Sequence, residues 1–132
     1  MRLTLPLILL FVLVGCSEEE TDRFKSLLNQ DIDETNFVYR EDITYDSRTD
    51  KPVTGRVVKY KEGQLKRRAK YSDGKRNGLA ETFHDNGQLQ TRENYKDEKR
   101  HGLFERFDKD GNLVATLTYK DDKLVECTGQ CD

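Results

Sequence analysis

Apolar residues in the second half of this chain come in pairs that bracket a glycine, and the pairs recur. Tyr60 and Leu65 flank Gly63, Phe83 and Leu89 flank Gly87, and Phe107 and Leu113 flank Gly111. The three glycines recur at intervals of 24 residues, as do the three leucines, and Tyr71, Tyr95 and Tyr119 keep the same interval. A fixed period of this size marks a repeat architecture, in which each supersecondary unit needs neighbours to bury its apolar face. Beyond each glycine the apolar positions alternate. In the last unit Leu113, Ala115, Leu117 and Tyr119 occupy one set of alternate positions, and Val114, Thr116 and Thr118 the other. A period of two over this length predicts half-buried antiparallel strands, with those four residues on one face.

The turn residues sharpen the register. Asp85, Asn86 and Gly87 predict a three-residue hairpin loop with Gly87 left-handed and a bulge beside it, which pairs His84 with Gln88 and sets Phe83 opposite Leu89. The segment Asp108-Lys-Asp-Gly111 does the same for Phe107 and Leu113. The first unit is one residue shorter, yet a two-residue Glu62-Gly63 loop still places Tyr60 opposite Leu65. A slip of one residue would separate each pair onto opposite faces. Cross-strand aromatic–aliphatic pairs contribute about 0.2–1 kcal/mol each, so the stack gains by repetition. The expected repeat core is therefore Tyr60, Leu65, Tyr71, Phe83, Leu89, Tyr95, Phe107, Leu113 and Tyr119, in units 55–77, 78–101 and 102–125. Arg67 and Glu93 fall on the nominally apolar face, as a cross-strand pair or as a polar spot.

Upstream, Phe37-Val-Tyr39 and Ile43-Thr-Tyr45 read as a degenerate first hairpin within an N-terminal cap, 23–54. Asp22-Arg-Phe24-Lys-Ser-Leu27-Leu28 has apolar residues at helical spacing and predicts a short helix over 22–28 that docks on the sheet. Before it, Ser17 to Asp22 is an acidic tether, 16–22 counting Cys16. Met1-Arg2 followed by the apolar run from Leu3 to Val14 is too short to span a bilayer and reads as an export signal, 1–15. Its end, Leu13-Val14-Gly15-Cys16, resembles the lipobox of bacterial lipoproteins. That resemblance implies cleavage before Cys16 and lipid on its thiol and amine, which anchors stably where a single acyl chain would not. Ser17 in place of Asp after the cysteine implies, in a diderm host, the periplasmic face of the outer membrane.

Three segments carry a second resemblance: Tyr71-Ser-Asp-Gly-Lys-Arg-Asn-Gly78-Leu79, Tyr95-Lys-Asp-Glu-Lys-Arg-His-Gly102-Leu103, and Phe83-His-Asp-Asn-Gly-Gln-Leu89. They resemble variant MORN (membrane occupation and recognition nexus) repeats, over residues 53–125, of the kind found in bacterial lipoproteins and secreted proteins labelled toxin–antitoxin, YwqK-type. The resemblance implies an all-β, single-layer antiparallel meander of hairpins used for binding. Glu98 and Asp122 stand where the pattern has a second turn glycine, so those turns are expected to be looser or of another type.

Composition narrows the chemistry. The chain has 132 residues, 34% hydrophobic and 36% charged, which excludes a thick two-layer core. Net charge is −2, and near −3 once the single Arg of residues 1–15 is removed, so no basic excess points to nucleic acid. With Cys16 lipidated, Cys127 and Cys131 in a C-terminal cap, 126–132, read as a disulfide of an exported protein that blunts the last sheet edge. A redox-active pair and a metal pair are the alternatives, against which stand the spacing and the lack of a nearby His. His84 and His101 flank turns and are expected to face solvent. Asp108 to Asn112 resembles the start of a calcium loop, but the downstream bidentate Glu is missing, and a turn is expected. No cofactor or metal is expected, and no catalytic arrangement. The function read from these residues is a lipid-anchored, non-enzymatic, protein-binding module. A toxin-neutralising protein and a structural, peptidoglycan-associated envelope protein are the alternatives.

Overall fold

A computed structural model describes residues 31–132. The expected export signal, Cys16, the expected acidic tether and the expected helix over 22–28 lie outside the described residues. The strands are β1 (Ile32–Asp33), β2 (Phe37–Arg40), β3 (Ile43–Asp46), β4 (Lys51–Pro52), β5 (Gly55–Lys61), β6 (Gln64–Ser72), β7 (Lys75–Phe83), β8 (Leu89–Lys96), β9 (Lys99–Phe107), β10 (Leu113–Lys120) and β11 (Lys123–Gly129). From β5 to β11 each strand pairs antiparallel with its successor, giving one long meander. Alternating side chains and tight hairpin loops favour this order, because each connection costs little closure entropy.

Two features lie outside that simple ladder. β1 runs parallel to β5, with Ile32 beside Val57, so the first edge of the meander is partly covered. The expected first hairpin forms as β2 and β3, but with β4 it builds a separate three-stranded sheet. That small sheet is fastened to the tip of the β6–β7 hairpin. Thr44 N donates to Gly74 O (2.8 Å), Gly74 N to Val53 O (2.8 Å), and Val53 N to Thr44 O (2.9 Å).

The β6–β7, β8–β9 and β10–β11 turns share one conformation. Their central residues are all left-handed: Asp73 and Gly74 (φ 48° and 79°), Asp97 and Glu98 (48° and 71°), Asp121 and Asp122 (49° and 66°). The expectation of a looser or different turn at Glu98 and Asp122 is therefore corrected. A left-handed L-residue costs roughly 1–2 kcal/mol, and here side-chain hydrogen bonds offset it. Glu98 accepts from Arg76 N (2.6 Å) and from Arg76 Nε, while Glu98 N donates to Arg76 O (2.9 Å). Asp122 repeats this one unit later, accepting from Arg100 N (2.9 Å) and donating its N–H to Arg100 O (3.0 Å). Each carboxylate thus staples its turn to the preceding hairpin.

The hairpins at the other margin carry Gly63, Gly87 and Gly111, all left-handed (φ 75°, 85° and 88°). Tyr60 lies opposite Leu65, Phe83 opposite Leu89, and Phe107 opposite Leu113. His84 N donates to Gln88 O at 2.8 Å, closing the loop around Asn86.

Strict alternation fails just past these pairs. Leu113 faces Phe107, but Ala115 faces Arg106, the neighbour of Phe107 in β9. Val114 is therefore an extra, bulged residue, and Leu113 lies on the opposite face from Ala115, Leu117 and Tyr119. The same shift recurs after Leu65 and after Leu89. The expectation that Leu113 shares a face with Ala115, Leu117 and Tyr119 is thus overturned, because a bulge inserts one residue and inverts everything before it.

The meander consequently has two distinct faces. The Tyr face carries Tyr71, Tyr95 and Tyr119 together with Val57, Ala69, Ala80, Ala115 and Leu117, and those last five are buried. The Phe face carries the three aromatic–leucine pairs. At the far edge Cys127 and Cys131 are joined in a disulfide, with Cα atoms 6.0 Å apart. The tail then turns back, and Gln130 N donates to Val114 O at 2.9 Å.

Candidate binding face

A row of charge crosses the Phe face beside the aromatic–leucine pairs. Arg68 pairs with Glu81, Glu81 with Arg92, and Arg92 with Glu105, each directly opposite on the adjacent strand. Glu81 is only 3% exposed, and its two oxygens are taken by Arg68 Nε and, at 3.4 Å, by Arg92 Nε. A buried carboxylate needs such partners, since desolvation without them is costly. Arg92 also reaches Glu105 at 3.4 Å. The guanidinium groups lie over the phenyl rings: Arg68 is 5.5 Å from the Phe83 centroid and Arg92 is 5.9 Å from that of Phe107.

The consequence is a surface of unusual composition. The carboxylates sit beneath, with side chains 4% and 22% exposed, while Arg68 and Arg92 are 46% and 44% exposed. Tyr60, Leu103 and Leu113, all on this face, expose about half of their surface at 51%, 46% and 53%. Tyr60 and Leu113, expected in the repeat core, are therefore surface residues at either end of the stripe. β11 ends at Gly129 opposite Ala115 and so has no strand residue paired with Leu113, and Tyr60 lies next to the short first loop.

On the Tyr face aromatic rings pair with guanidinium groups, and Leu124, opposite Tyr119 at the far edge, is 52% exposed. Arg76 lies over the Tyr95 ring at 4.1 Å and Arg100 over Tyr119 at 4.4 Å. Tyr71 stands opposite Arg76 and Tyr95 opposite Arg100, so aromatic and guanidinium groups alternate down the stack. Each tyrosine also lies opposite a glycine, Gly55, Gly78 or Gly102, whose φ of 128°, 108° or 101° suits no L side chain. Arg67 and Glu93 do not pair with each other. Both line a hollow of about 200 Å³ with Arg76, Ala80, Thr82 and Tyr95. Glu93 accepts from Tyr95 Oη (2.6 Å) and Thr91 Oγ1 (3.2 Å). Burial, and then that carboxylate, push the Tyr95 hydroxyl up to about 12.

The remaining expected positions have local duties. His84 is half-buried, its Nε2 2.9 Å from Phe107 O, so it bridges two repeats and does not face solvent freely. His101 Nδ1 is buried and lies 3.4 Å from Asp121 Oδ1 without hydrogen-bond geometry. Asp108 Oδ1 accepts from Asp110 N and Asn112 N, both at 2.9 Å, which closes a turn. Those N–H groups, led by that of Asn112, hold the Asp108 carboxyl below its usual range. The charge row escaped the sequence reading, although Arg68 and Arg92, and Glu81 and Glu105, keep the 24-residue interval. Periodicity in the polar positions was the signal that would have found it.

Comparison with known proteins places two of these hairpins. The model of the MORN repeat variant matches residues 76–97 and 100–121. Those segments are β7 with β8 and β9 with β10, each enclosing its glycine loop at Gly87 or Gly111. No curated protein matches the chain. The chain thus carries MORN-variant repeats, a class of repeat that suggests a binding module.

Proposed function

We propose that this chain is a non-enzymatic protein-binding module, held at a membrane by lipid on Cys16, whose Phe face docks a partner protein. The observation that carries this reading is the stripe that runs across the Phe face from β5 to β10. Half-exposed Tyr60, Leu103 and Leu113 and outward-facing Arg68 and Arg92 share that face. Aromatic residues and arginine dominate the energetics of protein interfaces, and exposed apolar patches mark docking sites. The lipid supports a standing position at the envelope, with the tether holding the sheet clear of the bilayer.

The test uses the full-length, detergent-solubilised protein as bait in envelope extracts of its host. A saturable partner should be recovered, and Tyr60→Ser with Leu113→Asp should lose it while the sheet remains folded by circular dichroism. Recovery unchanged by both substitutions would remove the Phe face from consideration. Globomycin-sensitive lipid labelling that vanishes in Cys16→Ala checks the anchor. A toxic gene product whose lethality disappears on co-expression would move the reading to the neutralising class.

A further inference from the structure

We infer that the occupant of the Phe face is an amphipathic helix laid across the strands, with acidic residues along one flank of its apolar stripe. The inference rests on the reading that this face binds protein, and it specifies the partner's shape and charge. A sheet face offers side chains and no free backbone groups. An extended segment crossing it would leave its own N–H and C=O groups without partners, whereas a helix satisfies them internally.

The dimensions favour the same occupant. The stripe from Tyr60 in β5 to Leu113 in β10 crosses five strand intervals. At about 4.8 Å each that is about 24 Å, the length of roughly 16 helical residues. Phe83 and Phe107 lie two strands apart, about 9.6 Å, close to the roughly 10.5 Å between helix positions i and i+7. Arg68 and Arg92 have the same separation, in a row displaced from the aromatic pairs by two residues along the strand, about 6.6 Å. A helix about 10 Å across covers both rows at once. The row is balanced in formal charge, but its guanidinium groups, 46% and 44% exposed, stand outward of carboxylates that are 4% and 22% exposed. Acidic residues at i and i+7 on the facing flank complement it.

The experiment titrates the full-length, detergent-solubilised protein against three fluorescein-labelled 18-residue peptides. One carries a Leu stripe with Glu at i and i+7 on one flank, the second replaces those Glu residues with Lys, and the third has a central Pro. The Glu peptide should bind saturably, at least about 5-fold tighter than its Lys twin, with the preference shrinking in high salt. Breaking the helix with Pro should weaken binding at least about 10-fold. Tyr60→Ser and Leu113→Asp should each weaken the Glu peptide, and Arg92→Gln should narrow the Glu-over-Lys preference. Equal binding of the Glu and Lys peptides, or of the Pro peptide, overturns the inference. Failure of all three peptides, with a natural partner still captured through Tyr60 and Leu113, overturns the helix but leaves the binding face standing. Capture that ignores those two residues removes the face itself.

Discussion

Gly74 and Gly87 have nearly the same backbone, φ 79° and 85°, in different surroundings, so replacing each with Ala separates conformational strain from packing. At Gly87 an added Cβ meets nothing within 4 Å. The cost there is the left-handed penalty alone, about 1 kcal/mol. At Gly74 the same Cβ presses on Ile43 Cγ2 and comes within 2.8 Å of Thr44 O, which is backbone and cannot rotate away. The small sheet must retreat, weakening the Thr44 N–Gly74 O and Gly74 N–Val53 O hydrogen bonds. With the same left-handed penalty, overpacking at about 1–3 kcal/mol and two hydrogen bonds at about 0.5–1.5 kcal/mol each, Gly74→Ala should lose about 3–7 kcal/mol in all. Urea denaturation followed by far-ultraviolet circular dichroism measures both variants, and hydrogen exchange at the Thr44 and Val53 amides reports the small sheet directly. Gly74→Ala should speed exchange at those amides, while Gly87→Ala should leave them protected. Equal losses for the two variants, or unchanged protection in Gly74→Ala, would refute the claim that β3 is seated on this turn.

Three more outcomes follow from the same geometry. Glu98→Ala keeps the left-handed strain and loses the bonds to Arg76, so it should cost about 2 kcal/mol in chemical denaturation. Glu98→Gly relieves the strain and should cost less than Glu98→Ala, and the opposite order would sink the claim that the carboxylate offsets left-handed strain. Arg68→Met leaves the buried Glu81 carboxylate with only the longer Arg92 contact and should destabilise more than Glu81→Gln, which frees two half-exposed arginines to hydrate. Thermal melts rank the pair. Because the folded Tyr95 hydroxyl titrates above its unfolded value near 10, its contribution is fully present below pH 10 and is lost as pH rises through about 12. Tyr95→Phe should flatten that loss in stability measured between pH 10 and 12.

Much of the meander was legible in the residues themselves, because hairpins are local. A Gly-bearing loop and a period of two set strand partners a few residues apart, and the 24-residue interval repeats the unit. That reasoning places Phe83 opposite Leu89, and it needs no knowledge of anything distant in the chain. Where sequence and structure part, the cause is a contact between units or a one-residue insertion. Alternation carried straight through Val114 puts Leu113 with Ala115, and only the bulge shows that it belongs with Phe107 on the other face. Glu98 and Asp122 look like poor turn formers until Arg76 and Arg100 of the preceding hairpin arrive to bind their carboxylates.

Local hydrogen bonding and side-chain period thus determine the strands, the hairpin registers and the repeat, all from the order of amino acids. The tertiary structure alone decides which face holds exposed Tyr60 and Leu113, how Arg68 and Arg92 cover Glu81, and why Gly is kept at 74. The physical reason is distance along the chain. Alternation repeats every two residues and says nothing of what lies a full repeat away, whereas burial of Glu81 and the fit of Gly74 depend on groups 11 to 31 residues distant.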